Sequence, residues 1–269
     1  MDRTVYYVVP VRAEFDLIER FIQSLYAQTN DSWIAHIVDD NSPLSDVDRK
    51  KLHLLVDNEP RIFLHENSER QGPLHNVYNI IVNELDGDDT IIAQADGDDW
   101  LLPFATSTIL TYHKSNIDVT YGQFVRHAPD TLHHGAEGHC GEYPIGARLE
   151  GSYEDYPWLA SHLKTFKRKY FMKIPYEMFI DPRNGNFWNS SYDMAYMLPI
   201  LKLAPMEKIA FNPIPIYMYN MVGWGEPTGG HVNPHVQEET AKYIIEAIKM
   251  YMNEKVRWHE DPVSGSSQG

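Results

Sequence analysis

Four times in its first 115 residues the chain runs a β-branched, apolar segment into an amphipathic one, and this alternation restricts the fold more than any other feature. "TVYYVV" (4–9), "WIAHIV" (33–38), "RIFLH" (61–65) and the segment 90–95 read as buried strands. From Glu14, residues Leu17, Ile18, Phe21, Ile22 and Leu25 share one helical stripe. "SDVDRKKLHLLVD" opens on Ser45 as an N-cap and continues as a second helix. Further helices are expected around 73–85 and from about Leu101. Strand–helix repetition of this kind predicts an α/β fold, a parallel sheet wrapped on both faces.

Ligands of such sheets bind at the carboxyl ends of the strands. The sequence carries its own control for that rule, because "DGDD" occurs twice, at 86–89 and at 96–99. Two carboxylates 4 Å apart at an effective dielectric near 20 repel by about 4 kcal/mol, so a cluster of three needs a reason to exist. Asp86 to Asp89 precede their strand and read as an exposed turn at the far edge. Asp96, Asp98 and Asp99 follow it, at the ligand edge, and the other exits there are polar too: "PVRAE", "DDNS" (39–42) and "ENSERQG" (66–72). With Asp39 and Asp40, five acids converge on one rim, and a bound divalent cation would remove their repulsion.

Composition narrows the partners. A formal charge of -15 excludes nucleic acid, which needs Lys and Arg gathered on one face. The lone Cys140 leaves no internal disulfide framework and suits a reducing compartment. No stretch reaches the roughly 18 apolar residues of a membrane span, and the N-terminal apolar run is too short for a signal peptide. A cytoplasmic protein is expected. "DPVSGSSQG" at the C-terminus reads as a tail over 261–269.

In order along the chain, "YVVPVRAEFDLIERFIQSLYAQT", "IVDDNSPLSD" and "QADGDDW" resemble family 2 nucleotide-sugar glycosyltransferases. The resemblance implies a GT-A fold: a Rossmann-like, mostly parallel sheet flanked by helices, with a C-terminal acceptor-binding portion. It implies a nucleotide-sugar-binding half over 1–115 and an acceptor-binding, catalytic half over 116–260. The implied activity is metal-dependent, inverting transfer from a UDP-sugar to a hydroxyl of a saccharide or glycoconjugate acceptor. Carried over by position, Pro10, Val11 and Arg12 line the base pocket, with Glu14 near the base or ribose. Asp40 or Asp39 hydrogen-bonds the uracil. Asp96 and Gly97 face the ribose and diphosphate, and Asp98 binds Mn2+ or Mg2+. Arg12 stands where the family often has an aromatic, and "GPLHNVYN" lacks the family's Arg, so Arg70, Asn76 or Asn79 is the candidate for the donor's phosphate side, with Asn67 a further donor-binding candidate.

The resemblance also implies a carboxylate base at the start of a helix beneath the acceptor. "NFWNSSYDMAYMLPILKLA" (186–204) supplies Asp193 in that slot, with Ser190 and Ser191 as caps and Met194, Met197, Leu198 and Leu201 as an apolar stripe. The plainer reading of Asp193 is an acid complementing the helix dipole. "IPIYMYNMVGWGEPTGGHV" (214–232) resembles the family's closing strand and donor-covering loop, in which His231 is a further metal ligand or simply an exposed histidine. Trp158, Trp188 and Trp224 are acceptor-stacking candidates against the usual fate of tryptophan, the core. His162 heads the basic stretch "SHLKTFKRKYF", which either faces a charged substrate or offsets local acids. "HHGAEGHC" lacks the paired spacing of a zinc site and reads as a polar loop. Two alternatives remain: a sugar-phosphate nucleotidyltransferase, or a module that binds a nucleotide sugar or glycan without turnover.

Overall fold

The computed structural model describes residues 3–128, 135, 137–222 and 234–256. Its first half follows the sequence pattern: β1 (Val5–Val11), α1 (Phe15–Tyr26), β2 (Trp33–Asp39), α2 (Asp46–Val56), β3 (Ile62–Glu66), α3 (Pro73–Asn79) and β4 (Ile91–Gln94). The Ser45 side chain accepts from Asp48 N, as an N-cap should. α3 continues into a π-helical turn over Ile80–Glu84. The helix expected from Leu101 begins later. Trp100–Leu101 form a short strand, β5, paired antiparallel with β10 (Tyr217–Asn220), and α4 runs Ala105–Lys114. Pro103 accounts for the delay, since the residue before a proline is disfavoured in helical backbone.

The second half adds β6 (Val119–Gly122), β7 (Val125–His127), α5 (Ile145–Glu150), β8 (Lys164–Lys167), α6 (Arg168–Phe171), α7 (Met194–Leu203), β9 (Ile209–Asn212) and α8 (Pro234–Val256). Among the described residues the strands form a seven-stranded sheet, β3-β2-β1-β4-β8-β6-β9, and a three-stranded one, β5-β10-β7. β1 to β4 are parallel, and β8 is inserted antiparallel between β4 and β6. β8 therefore joins the two halves in one sheet.

The period-2 alternation of β1 divides the core. Val5, Tyr7 and Val9 face a cluster with Ile18, Phe21 and Leu25 of α1 and Ile109 of α4. Val8 faces the opposite cluster, built on Leu74 and Val77 of α3, Phe171 of α6 and Ile244 and Ile248 of α8. α7 has no single apolar stripe: every residue from Met194 to Leu201 is buried. It lies inside the second cluster, with neighbours on all sides. No helix of the described residues is long and apolar enough to cross a membrane.

The two acidic quartets end at opposite edges, as the strand direction predicts. Asp86 to Asp89 are exposed, and Asp89 pairs with Lys167 at 2.9 Å and Lys169 at 3.4 Å. Most of the basic stretch thus offsets local acids. Arg168 donates to the carbonyls of Ile81 and Val82. His162 and Lys164, at the start of the stretch, turn toward the other edge.

Candidate active site

The strand exits at the carboxyl edge open into a cavity of about 400 Å³, lined by Pro10, Val11 and Arg12 after β1, Asp40 after β2, and Asp96, Asp98 and Asp99 after β4. Arg70, Asn76, Tyr192, Tyr219 and Asn220 also line it. The second quartet is fixed by its surroundings. Gly97 N donates to the Pro10 carbonyl at 3.2 Å, Asp96 N to Tyr217 Oη at 2.9 Å, and Asn220 N to Asp99 Oδ1 at 2.7 Å. A Cβ on Gly97 would lie 2.4 Å from Val11 Cβ, so only glycine lets this loop pass β1 so closely. Behind the loop, the Arg20 guanidinium sits 4.0 Å over the Trp100 ring, and Leu101 N donates to Ser24 Oγ at 3.1 Å. The tryptophan after the acids is the anchor that holds them against α1.

Asp40 is held as tightly. Gln71 N, Gly72 N and Asn67 Nδ2 all donate to its carboxylate, at 2.7 to 2.9 Å. Burial alone would raise its pKa, but donors from Gln71, Asn67, Asn76 and Gly72 outweigh it and hold the carboxyl below its ordinary value. Gly72 adopts φ +91°, and a Cβ there would meet Asn189 Oδ1 at 2.3 Å. The chain needs glycine at that turn to bring its N–H to Asp40.

Three groups offer metal-ligating atoms within 4.8 Å of one another: Asp96, Asp99 and His162. Asp99 Oδ2 is buried without a hydrogen-bond partner. Burial raises the Asp99 pKa well above its ordinary value, reinforced by Asp98 and Asp96 and opposed by Asn220 and Tyr217. His162 lies parallel to Tyr217 and Tyr219, with ring centroids at 4.9 and 5.0 Å, and its Nδ1 is 3.9 Å from Asp96 Oδ2. Burial, assisted by Lys164 and opposed by Asp193, pushes this imidazole well below its ordinary pKa, so it is neutral near pH 7, the form that ligates metals. An orphaned carboxylate oxygen, clustered acids and a neutral imidazole fit a divalent cation.

Asp193 ends α7's N-terminus, its Oδ1 accepting from Met194 N at 3.1 Å. Its Oδ2 pairs with Lys164 Nζ at 3.1 Å, and Lys164 is fully buried. The serines do not cap this helix: Ser191 has φ 47° and donates to the Gln237 carbonyl, while Ser190 Oγ is buried without a partner. The left-handed turn at Ser191 points the chain so that Asp193 meets the helix N–H. Tyr192, next in sequence, donates to Asp96 Oδ1 at 2.5 Å and lines the cavity.

Other expected residues stand back from the cavity. Asp39 is buried behind Asp40, accepting from Ser42 N at 2.8 Å and Arg49 at 3.1 Å. Asn67 bridges Asp40 and Asn76. Glu14 is exposed at the start of α1, outside the lining. Trp188 takes the core fate: it is 1% exposed and its Nε1 donates to the Met178 carbonyl. Trp158 packs, half-buried, on the same cluster. His162 is buried among tyrosines rather than presented on a basic surface. His231, Trp224 and the tail lie outside the described residues.

From sequence alone, Gln94, Tyr192, Tyr217 and Tyr219 had no expected role, and Lys164 was named only as one of a basic stretch. Gln94 is fully buried and donates to Asp96 Oδ1 at 2.9 Å while accepting from Tyr196. A glutamine interrupting the apolar run "IIAQA" was the available signal, because a buried amide needs polar partners.

A sheet of this order, with acids and a nucleotide-sized cavity at its strand ends, defines the GT-A class. The sequence pattern of Glycosyl transferase family 2 matches residues 6–174, and the chain belongs to that family. Its fold is similar to TarS of S. aureus in complex with UDP-GlcNAc (TM-score 0.60, 13% identity, over 91% of this chain and 66% of that one). It is also similar to GalNAc-T7 with UDP, GalNAc and Mn2+ (TM-score 0.59, 14% identity, 93% and 49%). A third is the mannosyltransferase PcManGT from Pyrobaculum calidifontis in complex with GDP-Man and Mn2+ (TM-score 0.51, 18% identity, 93% and 65%). The chain spans less than two-thirds of each of these three structures. No curated protein matches it.

Proposed function

We propose that the protein is a metal-dependent, inverting glycosyltransferase that moves a sugar from a UDP-sugar to a hydroxyl of a saccharide or glycoconjugate acceptor. One observation carries the reading: a buried acidic loop with an orphaned carboxylate shares a wall, through Tyr192, with the helix whose first carboxylate is Asp193. The matched structures crystallised with UDP-GlcNAc, GDP-Man and Mn2+ support it.

In this reading Pro10, Val11 and Arg12 flank the nucleoside, and Asp40 receives the base's N–H while Asn67 and Asn76 keep it aligned. Asp96, Asp99 and His162 hold the cation, Mn2+ or Mg2+, with Asp98 beside them on the cavity wall. The cation supplies Lewis-acid neutralisation of the departing diphosphate. Asp193 takes the acceptor hydroxyl's proton as the new C–O bond forms and the anomeric C–O bond to UDP breaks, its electron pair leaving with UDP. The transition state carries oxocarbenium character. Lys164 holds the Asp193 carboxylate in place.

Incubation with a panel of UDP-, GDP- and dTDP-sugars, with and without Mn2+, tests this. Nucleoside diphosphate release and retained stereochemistry would overturn the inverting mechanism. Tight nucleotide-sugar binding without release would favour the non-catalytic module. With inorganic pyrophosphate added, formation of nucleoside triphosphate and sugar 1-phosphate would favour the nucleotidyltransferase.

A further inference from the structure

Beside the donor cavity lies a second one of about 300 Å³, and the two share Tyr219 as a wall. Its other walls include Phe124, Arg126, His139 and His162. The Phe124 ring meets Tyr219 at 5.2 Å, His162 at 5.5 Å and His139 at 5.8 Å between centroids, so the cavity is walled by ring faces and edges. A Cβ on Gly138 would lie 2.3 Å from the Phe124 ring, and glycine there lets the backbone close down on that ring.

The cavity's charge is opposite to its surroundings. The chain carries -15, and the donor cavity holds four carboxylates, Asp40, Asp96, Asp98 and Asp99. No carboxylate lines the second cavity among the described residues. Its permanent charge is Arg126, which has no ion-pair partner among them. Arg12 and Arg70 line the donor cavity and Arg126 does not, so Arg126 is placed for a different molecule. Lys164 Nζ links this cavity to Asp193: it lies 3.5 Å from Nδ1 of His162, one of the cavity's walls, and 3.1 Å from Asp193 Oδ2.

We propose that the second cavity is the acceptor subsite and that it selects an anionic saccharide, the carboxylate or phosphate pairing with Arg126 while a sugar face stacks on the half-buried Tyr219 ring, which the buried Phe124 ring supports. This rests on the glycosyl-transfer reading above. Arg offers two parallel donors to either anion, and sugar C–H faces suit aromatic rings. A guanidinium unpaired among the described residues bonds more strongly to an anion than to a neutral hydroxyl, and in an acidic protein, whose field repels anions, such a cation gives an anionic ligand a specific place to bind.

The test is a glycan array presenting neutral, carboxylated and phosphorylated saccharides, probed with the full chain saturated with UDP and Mn2+. Wild type, Arg126→Gln and Arg126→Lys are compared, with UDP affinity measured on each. The expected bound set is anionic, weakened about tenfold or more by Arg126→Gln and partly restored by Arg126→Lys. UDP affinity stays unchanged in both variants. Neutral glycans bound equally well, a bound set indifferent to Arg126→Gln, or no glycan bound while UDP binds would each overturn the proposal. If Arg126→Gln weakened UDP instead, Arg126 would belong to the donor site and the proposal would fall. Failure of wild type to bind UDP at all would defeat the underlying reading rather than the acceptor assignment. The carboxylated and phosphorylated arms identify which anion is read.

Discussion

Lys164 Nζ lies 3.1 Å from Asp193 Oδ2, with the lysine side chain 1% exposed and the aspartate 17%. The pair joins β8 to the start of α7 and fixes the carboxylate assigned as base. Asp193→Asn keeps an oxygen for Lys164 but removes the basic group, so transfer falls by about 10²- to 10⁴-fold while UDP affinity holds. Asp193→Ala leaves the buried lysine unpaired and lowers the unfolding midpoint further than the asparagine variant does. Turnover, UDP titration and thermal unfolding of both variants check this, and near-normal turnover in Asp193→Asn would remove Asp193 as the base.

The raised Asp99 pKa sets the sign of the pH dependence expected of the site. Its pKa is raised by burial and by the neighbouring Asp98 and Asp96, so without a cation the folded state favours the protonated carboxyl. The proton competes with the cation, and Mn2+ affinity rises with pH while binding releases protons. The same shift means that folding stability from this group is full at low pH and is lost as pH rises through the folded-state pKa. Asp99→Asn should raise the apo unfolding midpoint at pH 8 and abolish the Mn2+-dependent increment. Calorimetry in buffers of different ionisation enthalpy measures the protons.

Gly97→Ala tests the loop's close passage over β1. The new methyl collides with Val11, and the loop must move or the core must give, at a cost of about 1–3 kcal/mol. Loss of UDP and Mn2+ binding exceeding the loss of stability is the expected pattern, read by titration against thermal melts.

The twin quartets make a matched pair of variants. Asp98→Ala weakens metal-dependent donor binding. Asp88→Ala, at the opposite edge in an exposed turn, leaves it unchanged and shifts stability by less than about 0.5 kcal/mol. Equal effects would show that the acidic loop has no special role.

The first half of the fold was legible because β1, β2 and β4 are mostly apolar runs, as strands buried on both faces must be, and the edge strand β3 follows them in the same rhythm. β8 was not, because "KTFK" places lysines where burial is expected, and only their ion pairs with Asp193, Asp89 and Asp118 reconcile them with the interior. The acidic loop could be placed from its position after a strand. Its true neighbours, Tyr192, Tyr217 and His162, lie about 70 to 120 positions further on, and only the folded sheet brings them in. Ser190 and Ser191 offered a plausible cap from sequence alone, which the positive φ at Ser191 denies them. Trp188 carries no mark in the sequence separating a core ring from a stacking platform.

The antiparallel insertion of β8 has a consequence for dissection of the molecule. β4's hydrogen-bonding edge is covered only when residues 164–167 return from the second half of the chain. A fragment ending near residue 115 would carry the whole parallel unit yet leave that edge open to pairing with other copies of itself. The β1–β4 unit is therefore not a detachable module, and hybrids between relatives should be joined on either side of this strand, never through it.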